Sequence, residues 1–493
     1  MDIDRGVPGV CLSLTGSTID ADLKIAAEQR GNVDFVEVRA DFLAEAELAS
    51  LARFPALAGM PSLLAFRRRS EGGVRDIAEA DRVAALLKAL EGKWSYVDLE
   101  DNLDSPEIAA AVREAGVTVI RSFHDFSGVP ADLDSRLRRL PRSPREIPKA
   151  AVMPHGTDDL LRIIETSLHE RGPKVVVGMG DWGFPTRVLT RKLGSAWTYC
   201  SAGAAKAAPG HIDPATLQSI YRYRRIGSET RLFAVIGNPV LHSRSPWIHN
   251  PAYDALGIDA VYVPFQVDSI NGFLKIAELL DIRGSSVTVP HKENVMPILG
   301  ERDRSVETVG SCNTLVREGS SWHGYNTDVE GFLGPLRRAL DPPLAGRSVL
   351  VVGAGGASRA VISGLVDEGC RVTITNRTES RARELAERFG CELVSSQSAA
   401  RAPGAPFDIV VQTTSAGMTP HADADPLPGY EFSGREVVYD LIYAPPMTRF
   451  LTRAAGAGCR TIGGQAMLLE QAYAQFRLFT GHEYPRELTI PAF

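Results

Sequence analysis

SVLVVGAGGASRA, residues 348–360, is the stretch from which the second half of this 493-residue chain can be read. A buried-strand pattern runs straight into Gly353, Gly355 and Gly356, a helical pattern follows to about Gly369, and RVTIT supplies a second strand. Glycines at such a turn allow a tight reversal and let the helix N-terminus, opened here by Ala357 and Ser358, face a pyrophosphate. A glycine-rich turn alone is common, but strand, turn, helix and strand in one unit make it a dinucleotide site. At the end of the second strand, a site for NAD places a carboxylate for the ribose hydroxyls; Asn376, Arg377 and Thr378 stand here instead. A guanidinium pairs with a 2'-phosphate and nothing here repels one, so the expected cofactor is NADP on a Rossmann-like domain, residues 341–464.

Upstream, LFAVIGNP opens an α/β unit at Leu232 that runs to about Leu340, preceded by the polar, basic stretch RYRRIGSETR, residues 222–231, read as a linker. From Gly9 to Tyr221 short apolar runs alternate with helical patterns: GVCLSL, VDFVEVRAD, SLLAFR, YVDLE, VTVIRSFHDF, KAAVMP, KVVVGM and AWTYCSA. Near-continuous apolar strands between helices mean a parallel sheet covered on both faces. Eight of them in about 210 residues predict a closed (β/α)8 barrel over 1–221. Polar residues gather at the C-terminal strand ends, where barrel enzymes keep their chemistry: Glu37, Arg39, Arg67, Glu100, His124 and Lys149. Any one of them is more often a surface residue, but six together are not.

The net charge of −6 gives no electrostatic footprint for nucleic acid, and no apolar run is long enough to cross a membrane. Six scattered cysteines form no CxxC pair and suggest neither a disulfide framework nor a zinc site, so no metal is implied. The start, MDIDRGVPGVCLSLTG, lacks a signal peptide's basic and apolar regions. The expectation is a cytoplasmic protein with small-molecule partners, monomeric or homodimeric.

Residues 236–250, IGNPVLHSRSPWIHN, place Ser243 and Ser245 so that both hydroxyls can face one carboxylate. VTVPHKEN, GSCNTLV, GYNTDVEGF, GAGGASRA, NRT and GGQAMLLEQA follow in order. This succession resembles shikimate dehydrogenase over essentially all of residues 232–493, with the helical segment 465–493 rejoining the substrate domain, 232–340. The resemblance implies that Ser243 and Ser245 hold a carboxylate, that Thr288, Asn313, Asp328 and Gln465 hold ring hydroxyls, and that Lys292 and Asp328 are the catalytic pair. Reducing a ketone needs a proton delivered to oxygen, which a lysine beside a carboxylate can supply. Ser245 and Thr288 are the family's choice for shikimate over quinate, and Met418, Tyr443 and Gly463 fall on the nicotinamide side. A quinate-oriented oxidoreductase stays as a rival reading.

The N-terminal motifs VEVRAD, AFRRRSEGG, VDLE, SFHDF, PKAAVMP and GFPTRVLTRKLGSAWTY are similar to type I 3-dehydroquinate dehydratase over residues 9–220. That resemblance implies a Schiff base on Lys149, whose pKa burial beside Ala150, Ala151 and Val152 is expected to lower. It implies a proton shuttle in His124 oriented by Glu100, substrate contacts from Arg67 and Arg187, and a polar wall of Glu37 and Arg39. The chain departs from the family in KAAPGHID, where Ala207 replaces a serine and His211 a glutamine. The reading is therefore a bifunctional lyase and oxidoreductase, with a scaffolding barrel beside an active dehydrogenase as the alternative.

Overall fold

The computed structural model describes residues 8–202, 208–340, 343–400 and 407–490. The described residues within 1–246 and 257–282 form one compact unit, and those within 247–256 and 283–493 form another.

In the first unit eight parallel strands run β1 (Gly9–Leu14), β2 (Phe35–Arg39), β3 (Ser62–Ala65), β4 (Tyr96–Glu100), β5 (Thr118–Asp125), β6 (Ile147–Val152), β7 (Val175–Gly178) and β8 (Trp197–Cys200). Each pairs with the next from β1 to β7, β8 pairs with β1, and β7 approaches β8 to bring the barrel nearly to closure. Side chains alternate across a strand, so every second residue faces inward. Cys11, Phe35, Leu63, Tyr96, Ile120, Ile147, Val175 and Trp197 fill the lower barrel, with Trp197 edge-on to Phe35 at 5.6 Å. Two residues further along the same faces the lining turns polar, with Ser13, Glu37, Asp98, Ser122 and Lys149, all buried. Parallel strands put all those positions at one end, which is the reason the chemistry collects there.

The first unit also holds the parallel pair β9 (Arg231–Gly237) and β10 (Ala260–Gln266) and the helix Ile270–Leu279. A helix cap is among the contacts that tie these to the barrel. The barrel helix Thr157–His169 begins after Gly156, which has no side chain to cap it, and Asp268 supplies the missing acceptor. Asp268 Oδ1 accepts from Thr157 N at 3.0 Å and from Thr157 Oγ1 at 2.6 Å, while Asp268 N donates to Thr157 Oγ1 at 3.0 Å.

In the second unit β11 (Ile282–Val287), β13 (Thr314–Glu318) and β14 (Ser321–Tyr325) run antiparallel, with β12 (Glu301–Arg302) parallel to β14. The nucleotide-binding sheet comprises β15 (Ser348–Val352), β16 (Arg371–Thr375), β17 (Glu392–Leu393), β18 (Ile409–Gln412), β19 (Val437–Asp440) and β20 (Arg460–Ile462). Its order is β17-β16-β15-β18-β19-β20, all parallel, the doubly wound arrangement whose direction of winding reverses beside β15. The long helix Gly464–Thr480 packs along Asp328–Ala339, and Phe332 of the latter stacks on Tyr439 at 5.1 Å.

Candidate active sites

At the barrel mouth Lys149 Nζ donates to Asp98 Oδ2 at 2.8 Å, lies 3.8 Å from Glu37 Oε1 and sits 4.3 Å above the Tyr199 ring. The expected apolar pocket around this amine is thus bounded by carboxylates: strand alternation that turns Lys149 inward also turns Asp98 and Glu37 inward. Asp98 further accepts from Ser122 Oγ and pairs with Arg67 at 2.8 Å. Burial opposes its ionisation, but Arg67 and Lys149 outweigh that and hold the carboxyl well below the usual range. Ser13 Oγ donates to Glu37 Oε2 at 2.7 Å, and Arg39 is engaged by Asp41 at 2.7 and 2.8 Å.

Glu100, expected to orient His124, is occupied elsewhere: its oxygens accept from Arg82 at 3.0 Å, from the Arg68 amide at 3.1 Å and from Arg67 at 3.4 Å. The residue on the imidazole is Glu71, whose Oε2 lies 3.2 Å from His124 Nδ1 and accepts the His124 amide at 3.1 Å. Glu71 sits in the turn Arg69–Glu71 after β3, so a reading confined to strand ends passes over it. The signal was present in AFRRRSEGG, where a carboxylate precedes a glycine that holds a left-handed φ of 85°. Asp98 was legible too, two residues before Glu100 and therefore on the same face.

Burial pushes the Glu71 carboxyl up to about 7, with Arg67 partly offsetting it. Burial, then the cations Arg67 and Lys149, push the His124 imidazole well below 6.5. At neutral pH the ring is a free base. Arg187 is 1% exposed and, among the described residues, donates to the carbonyls of Tyr199 (3.4 Å) and Pro209 (3.1 Å). Its Nε has no partner and the guanidinium no carboxylate among the described residues, and burial pushes its pKa down to about 10. His211 is buried at the same mouth. Ala207 lies outside the described residues.

In the second unit Lys292, on the short helix His291–Asn294, pairs with Asp328 at the first position of Asp328–Ala339. A helix N-terminus favours the carboxylate there. Asn313 Nδ2 donates to Asp328 Oδ1 at 2.8 Å and Asn326 Oδ1 accepts the Asp328 amide at 3.2 Å, so this carboxylate is fixed from several sides. Thr288, half-buried, accepts with its carbonyl from the His291 amide at 2.9 Å, and Gln465 stands half-buried in the first turn of Gly464–Thr480. In the first unit Ser243 Oγ donates to Ser245 Oγ at 3.2 Å. Two hydroxyls spaced by one residue do converge, as their spacing suggests.

At the nucleotide turn Gly353 has a φ of 121°, and a Cβ there would meet Thr413 Oγ1 at 2.4 Å. Gly355 and Gly356 face open space at the N-terminus of Gly356–Asp367, and Ser358 Oγ accepts the Gly355 amide at 2.9 Å. Ala357 lies in the same first turn. Such a cradle fits a pyrophosphate. Asn376, Arg377 and Thr378 follow β16; Asn376 Nδ2 donates to the Thr378 carbonyl at 2.9 Å, and Arg377 is exposed. Met418 is exposed, Tyr443 half-buried, and Gly463 is the N-cap of Gly464–Thr480.

A barrel with a buried lysine at its mouth, joined to a Rossmann-like unit beside a lysine–carboxylate pair, defines a lyase fused to a dinucleotide-dependent oxidoreductase. Residues 10–228 match the type I 3-dehydroquinase family. Residues 235–315 match the shikimate dehydrogenase substrate binding domain, 336–420 the shikimate/quinate 5-dehydrogenase family and 466–492 the shikimate 5'-dehydrogenase C-terminal domain. The chloroplastic bifunctional 3-dehydroquinate dehydratase/shikimate dehydrogenase of Arabidopsis thaliana is 32% identical over 508 residues, covering 99% of this chain and 84% of its own length. The chain belongs to this bifunctional family. Shikimate dehydrogenase (NADP(+)) of Moorella thermoacetica is 42% identical over 272 residues, 53% of this chain and 92% of its own. A solved shikimate dehydrogenase in complex with NADP+ aligns with a TM-score of 0.50 at 33% identity, over 53% of this chain and 94% of its own. These matches do not favour a merely scaffolding barrel. Among the described residues no helix is long and apolar enough to cross a membrane.

Proposed function

We propose that the barrel dehydrates 3-dehydroquinate to 3-dehydroshikimate and that the second half reduces 3-dehydroshikimate to shikimate with NADPH. For the barrel, the observation that carries the reading is Arg187, a buried cation in the pocket wall with no carboxylate beside it among the described residues. A substrate carboxylate supplies the missing anion. Its anchoring places the ring ketone at Lys149, whose amine condenses with it to an iminium and releases water. The iminium draws electrons from the adjacent carbon, His124 removes the proton there, and the resulting imidazolium returns a proton to the departing hydroxyl. Hydrolysis then frees Lys149. His211, in place of the family's glutamine, offers a titratable donor at the same wall.

In the second half Lys292 donates a proton to the ketone oxygen, and Asp328, paired with it, holds that lysine in place. The glycine turn and Arg377 would hold NADPH, which when bound would supply the hydride. Ser243 and Ser245 orient the carboxylate, and Thr288, Asn313 and Gln465 the hydroxyls. The coupled assay tests the whole reading: 3-dehydroquinate plus NADPH gives shikimate, and borohydride added with 3-dehydroquinate leaves a covalent adduct on Lys149. Absence of both adduct and product overturns the barrel assignment. Faster oxidation of quinate with NAD than of shikimate with NADP overturns the second. The same reading makes the chain cytoplasmic, monomeric or homodimeric, which a fluorescent fusion and sedimentation check.

Two predictions separate neighbouring residues. Glu71 accepts the His124 ring proton only while ionised, so dehydratase kcat/KM is expected to fall as pH drops through about 7. Glu71→Gln should cost roughly 10- to 100-fold and flatten that limb. Glu100→Gln should leave the limb in place, and the opposite pattern restores Glu100 to the imidazole. Arg377→Ala should raise KM for NADPH about 10- to 100-fold, the equivalent of losing hydrogen bonds to a charged group, and leave NADH turnover unchanged. Equal effects on both cofactors would remove Arg377 from the 2'-phosphate.

A further inference from the structure

Outside the barrel wall lies a second cavity, of about 480 Å³, within the range of small-molecule sites. Leu99 of β4 and Val119 of β5 form its floor with Leu103, and Ile108 and Val112 of the helix Pro106–Ala115 form its side. All five are buried apolar residues with an open volume against them. An apolar floor of this size takes an apolar ring.

The rim has the opposite character. Arg121 is neutralised by Glu146 at 2.9 and 3.1 Å, so it adds no net charge. Arg113 and Arg145 are exposed, and their guanidinium groups make no ion pair or hydrogen bond among the described residues. Arg142 donates to the Asp101 carbonyl at 2.8 Å and is 3.6 Å from Asp104, whose side chain is 92% exposed and well solvated. Three arginines, Arg113, Arg142 and Arg145, thus line the hollow beyond the Arg121–Glu146 pair, and only Arg142 has a carboxylate near it. Arginine side chains present planar forks that match a carboxylate.

From this charge and shape we propose that the cavity is a binding site for a small aromatic carboxylate, separate from both catalytic centres. The ring enters between the helix Pro106–Ala115 and the outer faces of β4 and β5, and the carboxylate meets Arg113 and Arg145.

Calorimetric titration of the full chain with 2-naphthoate tests it, with neutral 2-naphthamide as the control. Saturable binding is expected, about tenfold or more tighter for the carboxylate and weakened at least tenfold by Arg113→Glu combined with Arg145→Glu. Val112→Trp, which fills the hollow, should abolish it. None of these positions touches either active site, so retained dehydratase and dehydrogenase activities certify that the variants fold. Four results overturn the proposal: no saturable binding, equal binding of the amide, binding that survives both variants, or inhibition competitive with 3-dehydroquinate, which would place naphthoate at Arg187. Self-association lost in the arginine variant overturns it as well, because the hollow is then an interface between copies.

Discussion

Lys149→Ala is expected to lower dehydratase kcat by roughly 10⁴-fold or more while leaving shikimate oxidation by the same chain near its original rate. In the proposed route the iminium formed on this amine is the electron sink, and no neighbour can replace it. Asp98, Glu37 and Tyr199 surround the position with acceptors and a ring, and Arg67, which shares Asp98 with the lysine, cannot form an imine. Removing the lysine leaves Asp98 still paired with Arg67 at 2.8 Å, so the barrel keeps a counter-ion for its buried carboxylate. Because the dehydrogenase rate is read in the same tube, misfolding and lost chemistry are told apart. A variant that retains more than about one hundredth of the rate contradicts the Schiff base route.

Lys292→Ala should do the converse, lowering dehydrogenase kcat about 10²- to 10⁴-fold with a smaller change in KM for shikimate. In the proposed mechanism the proton it delivers matters only as the alkoxide develops, so its loss should fall on the transition state more than on ground-state binding. Asp328→Asn should show a related but milder loss, since Asn313 and the Asn326 side chain still hold that position. A rise in KM with kcat unchanged would make Lys292 a substrate anchor only.

Much of this was legible because the strands of both parallel sheets are apolar on both faces and therefore stand out as runs. GAGGASRA declared the dinucleotide turn, since only glycine fits at Gly353 against Thr413. Glu71 escaped because the turn that carries it interrupts the strand-end pattern, and Glu100 looked like the better partner by position alone. The setting of Lys149 was misjudged for a related reason. Its chain neighbours are alanine and valine, whereas its neighbours in space come from β4 and β2, two and four strand pairings away. Nor could the restart at Leu232 disclose that β9, β10 and the helix Ile270–Leu279 share a compact unit with the barrel. That involves contacts far apart in the chain, such as Thr157 with Asp268, 111 residues later.

The same meeting of Thr157 and Asp268 bears on how the two chemistries are joined. A chain severed within 222–231 would leave the helix Thr157–His169 starting at a bare glycine, a loss of about 0.5–2 kcal/mol for an absent cap. Against a typical total stability of about 5–15 kcal/mol that is a noticeable fraction. The partnership is thus thermodynamic as well as sequential: the reductase half lends a carboxylate to the helix that follows the strand of Lys149, and separating the two halves has a folding cost attached.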